Sequence, residues 1–134
     1  MKLYADEPGH EIIRGLDAIA ISALARVEVP AALWRKHRQG ELDVSATAVL
    51  TGVFERHYRG DRDYEPRFGV VAAGPDVLED AATRAAAHGL RAYDAVQLAS
   101  AISARAADSD CGAFACFDDD LRAAAGSMSF VLVP

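Results

Sequence analysis

The sequence has 134 residues, a length typical of a single domain with a buried core. Hydrophobic residues make up 51% of the chain, which excludes an intrinsically disordered protein. The formal net charge of −6 argues against a broad basic surface that wraps nucleic acid, but it permits an acidic site that meets phosphate through divalent cations. We therefore expect one globular domain over residues 1–134.

The sequence also excludes a membrane-spanning protein and a disulfide-rich protein. No apolar run approaches the roughly 20 residues that a membrane span requires, and no apolar signal-peptide core follows Met1. These features predict a cytoplasmic protein without membrane contact. The two cysteines, Cys111 and Cys116, are too few for a disulfide framework. We expect both thiols to be reduced, with Cys116 in a buried strand.

The first third of the chain predicts two helices that flank one strand. A short helix is expected from about Gly9 to Leu16, and the segment AIAIS then predicts a buried strand that ends at Ser22. A long helix should follow and stop at Gly40, with Ser22 as its N-cap and a kink or restart at Pro30. The apolar stripe of this helix, which we expect to face the core, consists of Leu24, Val27, Ala31 and Trp34.

The next elements are marked by their capping residues. A helix should begin near Asp43 or Ser45 and end before Gly60, and the charged segment DRDYEPR then predicts a loop. The segment FGVVAAG predicts a strand. Another helix is expected with Pro75 in its first turn and Gly89 beyond its last.

The last third of the chain begins with RAYDAVQLASAISARAA, which is apolar nearly all round and predicts a buried helix. The segment GAFACF predicts a strand, DDDLRAAAG a short helix, and SFVLVP a final strand. Strands and helices that alternate in this way predict an α/β fold with a mostly parallel sheet covered on both faces.

Three carboxylates occupy unusual positions in this predicted fold. Glu28 lies within the apolar stripe of its helix, although a Glu at the edge of the stripe that pairs with an Arg is an alternative. Asp94 falls in the first turn of the buried helix, where capping and the helix dipole alone favour an acidic residue. Asp118 directly follows a predicted strand and is also a natural N-cap for the next helix.

The carboxylates after this strand exceed what a helix cap requires. Asp118, Asp119 and Asp120 are consecutive, and close like charges repel by about a few kcal/mol near a protein surface unless a cation is present. Ligands of open α/β sheets bind beyond the carboxyl ends of the strands, where we expect Asp118 and Asp94 to meet. Oxygen donors of this kind suit Mg²⁺ or Mn²⁺, which support phosphodiester hydrolysis.

Other catalytic classes lack their signatures in this sequence. It contains no G-x-S-x-G nucleophile motif, no G-x-G-x-x-G dinucleotide motif and no Walker loop. A phosphatase that uses the same carboxylate edge stays open as a second hydrolase hypothesis, but it requires a nucleophilic Asp after the first strand.

The segments KLYADEPG, ISALARVEVPAALWR, HGLRAYDAVQLASAI and FACFDDDLRAAA, in this order, closely resemble the PIN-domain family, specifically VapC-type toxins of bacterial toxin–antitoxin systems. The resemblance spans nearly the whole chain. It implies a three-layer α/β/α fold and a Mg²⁺-dependent endoribonuclease. It also implies a homodimer that a cognate antitoxin protein neutralises.

Carried over residue by residue, the resemblance assigns catalytic roles and metal binding to Glu28, Asp94 and Asp118. Asp119 is a weaker metal ligand, as is Asp120, because many members have basic or polar residues at these positions. Cys116 stands where many members have Thr or Ser, so the strand end lacks a hydroxyl.

The N-terminus departs from the family pattern. Members typically begin with a central strand that leads into D-T/S-S-A-L-V-K-L-Y, whose Asp is the leading metal ligand, whereas this chain begins at MKLY. We expect the gene to continue upstream in frame with such a strand and Asp; a stop codon there would contradict this. The alternative is a degenerate, non-catalytic PIN-like module that binds RNA or the antitoxin.

Overall fold

A computed structural model describes Tyr4 and residues 10–16 and 18–133. The predicted start of the first helix, at about Gly9, lies outside the described residues. The described part of the chain is a mixed α/β structure, as predicted. Its elements, in chain order, are α1 (His10–Arg14), β1 (Ile19–Ser22), α2 (Ala25–Arg38), α3 (Val44–Arg59), β2 (Phe68–Val71), α4 (Pro75–His88), α5 (Ala92–Ala107), β3 (Ala113–Ala115), α6 (Asp119–Ser127) and β4 (Val131–Val133).

The strands form two separate pairs within the described residues. β1 pairs with β2, and β3 pairs with β4 in a second two-stranded sheet. β3 and β4 run parallel, with Phe114 opposite Leu132 and Ala115 opposite Val133. The carboxyl ends of these two strands therefore lie at the same edge, which is the edge that precedes α6.

The chain divides into two compact units. The first comprises the described residues of Met1–Ile19 and Leu24–Gly69, and the second those of Ala20–Ala23 and Val70–Pro134. In the first unit, α2 packs against α3; in the second, α4 packs against α5, and α6 packs against α5 and β4.

Local chemistry explains where α3 and α4 begin and end. The Asp43 side chain accepts a hydrogen bond from the Ala46 N–H at 2.7 Å, as expected of an N-cap. Gly60 follows α3 with a φ of 71°, and Gly89 follows α4 in the left-handed conformation. Pro75 occupies the first turn of α4, where its missing N–H has no helical partner to lose.

Two expectations for α2 are wrong. The helix begins at Ala25 with Leu24 as its N-cap, whereas Ser22 is buried in β1. α2 continues through Pro30 without a restart, although Pro30 removes one backbone donor, and the alternative of a kink there stays a prediction. The predicted stripe does not face the core, since Val27 is 63% exposed and Leu33 is fully buried.

The buried character of α5 is confirmed. Its buried residues are Ala95, Val96, Leu98, Ala99 and Ser100. Nearly all round this helix the side chains are small or aliphatic, which allows α4 and α6 to pack closely against it. Within the described part of the chain, none of the helices combines the length and apolar character needed to span a membrane.

Candidate functional site

Asp94 lies in the first turn of α5, and its side chain is half-buried. Arg91 precedes the helix in an extended conformation and makes no side-chain cap. The first turn of a helix has N–H groups without helical partners and a partial positive charge, so a carboxylate is favoured there. The placement at the start of a buried helix agrees with the prediction from sequence.

Asp118 lies between β3 and α6 and is exposed. It is the N-cap of α6, and its Oδ1 accepts a hydrogen bond from the Leu121 N–H at 3.0 Å. The capping role that the sequence suggested is therefore real. A carboxylate has a second oxygen, so capping leaves Asp118 with further capacity to bind a cation.

The carboxylates of Asp94 and Asp118 act on each other electrostatically. Burial raises the pKa of Asp94 first, and the negative charges of Asp118 and then Asp120 raise it further, while Arg91 lowers it. The charges that raise the pKa of Asp94 thus belong to the N-cap and the first turn of α6 in the second unit. We call Asp94, Asp118 and Asp120 the carboxylate cluster.

Cys116 borders the carboxylate cluster. It follows the last residue of β3, is half-buried, and carries a free thiol, as does Cys111. The Asp118 N–H donates to Cys116 Sγ at 3.3 Å. Burial is the main cause that raises the pKa of the Cys116 thiol, and the charges of Asp118 and Asp94 add to it. The expectation of a buried strand position is wrong for Cys116, because it is half-buried and lies just beyond β3.

The other two predicted site residues are Asp119 and Glu28. Asp119 is the first residue of α6 and is exposed, but the carboxylate of α6 that raises the pKa of Asp94 is Asp120. Glu28 is half-buried in the first turn of α2, in the first compact unit. Its convergence with Asp94 and Asp118 stays a prediction.

The carboxylate cluster offers oxygen donors that a divalent cation can bind. Among the residues that the structure describes, no group of three or more His, Cys, Asp or Glu side chains is arranged to hold a metal ion. The donor chemistry fits Mg²⁺ all the same, because this ion is commonly bound through one or two carboxylates with water in its other positions. Asp94 and Asp118 supply two such carboxylates, and a bound cation would offset both the burial of the Asp94 charge and the repulsion from Asp118 that raise the pKa of Asp94.

Sequence inspection underrated one residue of the cluster and missed two residues around it. The resemblance makes Asp120 only a weak candidate ligand, because many members of that family have basic or polar residues at its position. Arg91 lies three residues before Asp94, a spacing that places the two near each other at a helix start and could have indicated the contact. Arg122 donates hydrogen bonds from its guanidinium to the backbone of two strands, and no local signal predicts such a contact.

Comparison with known proteins adds no relative to these observations, since no model of a protein family matches the sequence and no curated protein matches it at a significant level.

Proposed function

We propose that this protein is a metal-dependent endoribonuclease of the PIN-domain type, a VapC-like toxin that hydrolyses RNA phosphodiester bonds with Mg²⁺ or Mn²⁺. The observation that carries the proposal is the position of Asp94 in the first turn of α5 and of Asp118 at the start of α6, where the charges of Asp118 and Asp120 raise the pKa of Asp94. Asp94 begins a buried helix and Asp118 follows a parallel strand, so two separate elements direct carboxylates into one region. Ligands of α/β proteins bind at such strand ends.

The chain's own residues have distinct roles in this proposal. Asp94 and Asp118 hold the cation through carboxylate oxygens, and Asp120 adds negative charge that attracts it. Arg91, which lowers the pKa of Asp94, favours the ionised carboxylate that metal binding requires. Bound Mg²⁺ would supply Lewis acidity and a water of lowered pKa for attack on phosphorus. Glu28 and Asp119 are proposed as further ligands on the resemblance alone.

The proposed fold is the three-layer α/β/α PIN-like arrangement with a mostly parallel sheet, without the family's central first strand in this chain. The parallel pairing of β3 with β4 supports it.

The partners proposed with this activity follow from the resemblance. They are an RNA substrate, a cognate antitoxin protein and a second copy of the chain in a homodimer, in the cytoplasm. The oligomeric state is measured by light scattering of the purified chain, and a monomer at micromolar concentration would contradict the homodimer.

The activity is tested by incubating the full chain with a structured RNA in the presence of Mg²⁺ or Mn²⁺, with EDTA as the metal-free control. We expect Asp94→Asn and Asp118→Asn to reduce cleavage by on the order of 100-fold or more, the scale on which loss of one transition-state-stabilising group slows an enzyme. Asn is a good N-cap, so Asp118→Asn should retain the start of α6.

The matched control is Asp76→Asn, because Asp76 is an exposed carboxylate in the first turn of α4. Its cleavage rate should equal that of the wild type. Cleavage that survives Asp94→Asn unchanged would overturn the assigned site. Binding of RNA without cleavage under every metal condition would instead support the non-catalytic module that binds RNA or an antitoxin.

A further inference from the structure

Arg122 joins the ends of two parallel strands beside the carboxylate cluster. Its Nη1 donates one hydrogen bond to the carbonyl oxygen of Cys116 at 2.7 Å and another to that of Val133 at 2.9 Å. Cys116 directly follows β3, and Val133 is the last residue of β4. One half-buried guanidinium nitrogen therefore uses both of its hydrogens to tie the two strand ends together.

The same residue also lies across the turn that carries Asp118. The Arg122 N–H donates to the carbonyl oxygen of Asp118 at 2.9 Å, in the first hydrogen bond of α6. Its side chain thus holds the backbone two residues before Asp118, while its N–H holds Asp118 itself. The Asp118 carboxylate is held in turn by the Leu121 N–H, and the Asp118 N–H by Cys116 Sγ.

We propose that Arg122 is a positioning residue for the metal-binding carboxylate of Asp118, an inference that rests on the proposed metal-dependent function. By fixing the carbonyl of Cys116 against β4, it sets where the chain turns from β3 into α6 and so where the Asp118 carboxylate lies. Hydrogen bonds from a charged donor to carbonyl oxygens are stronger than neutral ones, which suits a fixed turn. Partners that orient metal ligands in this way typically change metal affinity by roughly 10- to 100-fold when removed.

Arg105 provides a matched control in the same compact unit. Its Nη1 also donates to a backbone carbonyl, that of Met128, at 2.9 Å, and its guanidinium lies 3.9 Å from the centre of the Phe130 ring. Arg105→Ala therefore removes a comparable contact with backbone but does not touch the turn from Cys116 to Asp118. A loss of stability alone would affect the two variants alike.

The test measures Mn²⁺ affinity of the full chain by electron paramagnetic resonance, together with hydrogen exchange of the Leu121 amide by NMR. We expect Arg122→Ala to weaken Mn²⁺ binding by roughly 10- to 100-fold and to speed exchange at Leu121. Arg105→Ala should leave both properties close to those of the wild type. Should Arg122→Ala fail to fold, Arg122→Lys is compared with Arg105→Lys, and only the former should weaken Mn²⁺ binding, by less than the alanine variant.

Wild-type Mn²⁺ affinity in folded Arg122→Ala, or an equal loss in Arg105→Ala, would overturn the positioning role. If the wild type binds no Mn²⁺, the proposed function fails, and the Leu121 exchange rate still decides whether Arg122 holds Asp118 in place. Unchanged exchange at Leu121 in Arg122→Ala would then overturn the inference as well.

Discussion

The first compact unit buries aromatic rings, whereas the second buries mainly alanine and aliphatic side chains. Phe54 lies at the centre of the first, with the ring centres of Tyr4, Tyr58 and Phe68 between 5.7 and 6.2 Å away. The second unit packs the small residues of α5 against α4 and α6, and its aromatic contact joins Phe114 with Phe130 at 5.6 Å. Small side chains allow close helix packing, which brings the start of α5 near the end of β3.

The two units also contain titratable groups of different kinds whose pKa values are shifted. In the first, the Tyr4 hydroxyl and His57 Nδ1 share a hydrogen bond at 3.0 Å, and burial raises the pKa of Tyr4. Burial lowers the pKa of His57, and the charges of Arg67 and Arg56 lower it further. In the second unit, like charges and burial raise the pKa of Asp94. Burial thus disfavours the charged form of Tyr4 and of His57 in the first unit and of Asp94 in the second, where the neighbouring charges of Asp118 and Asp120 add to the effect.

The largest expected effect is the loss of the central ring of the first unit. Phe54 is 1% exposed, and Phe54→Ala should lower the free energy of unfolding by about 3–5 kcal/mol, through lost burial and a remaining cavity. Urea unfolding measures this change in the free energy of unfolding. It is followed by the fluorescence of Trp34, which is the only tryptophan and lies in the first unit. Val49→Ala is the control on the same helix, because Val49 is 61% exposed and should change stability by less than about 0.5 kcal/mol. Equal effects of the two variants would contradict an aromatic core.

A smaller effect is expected at the turn that ends α3. Gly60 has a φ of 71°, and a Cβ atom there would lie 2.7 Å from the carbonyl oxygen of Tyr64 and 2.8 Å from Cδ of Pro66. Gly60→Ala should therefore lower stability by roughly 1–3 kcal/mol, since both the conformation and the contact are strained.

Gly52→Ala is the matched control for Gly60→Ala. Gly52 lies inside α3 with no atom within 4 Å of an added Cβ, so alanine should raise stability by about 0.5–1 kcal/mol. Thermal unfolding of both variants measures whether each substitution raises or lowers stability. A stabilising effect of Gly60→Ala would show that the turn can relax.

Asp94 in the second unit and His57 in the first should change the stability of the protein with pH in opposite directions. The folded-state pKa of Asp94 lies above its ordinary value of 3.8, so the native state binds this proton more tightly and ionised Asp94 destabilises it. Asp94→Asn should therefore be more stable than the wild type at neutral pH without metal. The difference should shrink as the pH falls through the raised pKa and vanish below 3.8.

His57 should produce the reverse slope. Its folded-state pKa lies below 6.5, so the unfolded state binds the proton more tightly, and stability is lost as the pH falls from 6.5 through the lowered pKa. His57→Gln should lose less stability than the wild type over this interval. Unfolding of the wild type and both variants in a pH series measures the two slopes, and slopes of the same sign would contradict the contrast between the units.

The smallest effect is expected inside α5. Ser100 is 2% exposed, and its hydroxyl has no hydrogen-bond partner in the structure. Ser100→Ala removes a buried polar group without a partner and should leave stability unchanged or raise it by up to about 1 kcal/mol. Ser103→Ala, at an exposed position of the same helix, is the control for helix propensity. A clear destabilisation by Ser100→Ala would show that the hydroxyl is hydrogen-bonded in solution.

Features that depend on neighbouring residues were predictable from the sequence. Asp43 and Gly60 bound α3, and Pro75 and Gly89 bound α4, because caps and turns act within about one helical turn. The buried character of α5 was also predictable, since its apolar residues cover nearly the whole circumference. In α2, by contrast, apolar residues occupy several sides, so the sequence pattern did not identify Leu33 as the buried one.

The sequence by itself therefore determined the order and type of the elements and the position of Asp94 and Asp118 at the starts of α5 and α6. Only the tertiary structure decided that their charges interact, that Asp120 takes part, and that Arg122 binds the ends of β3 and β4. These interactions depend on how β3 pairs with β4 and how α6 packs on α5. Local patterns act over a few residues and carry no information on such packing.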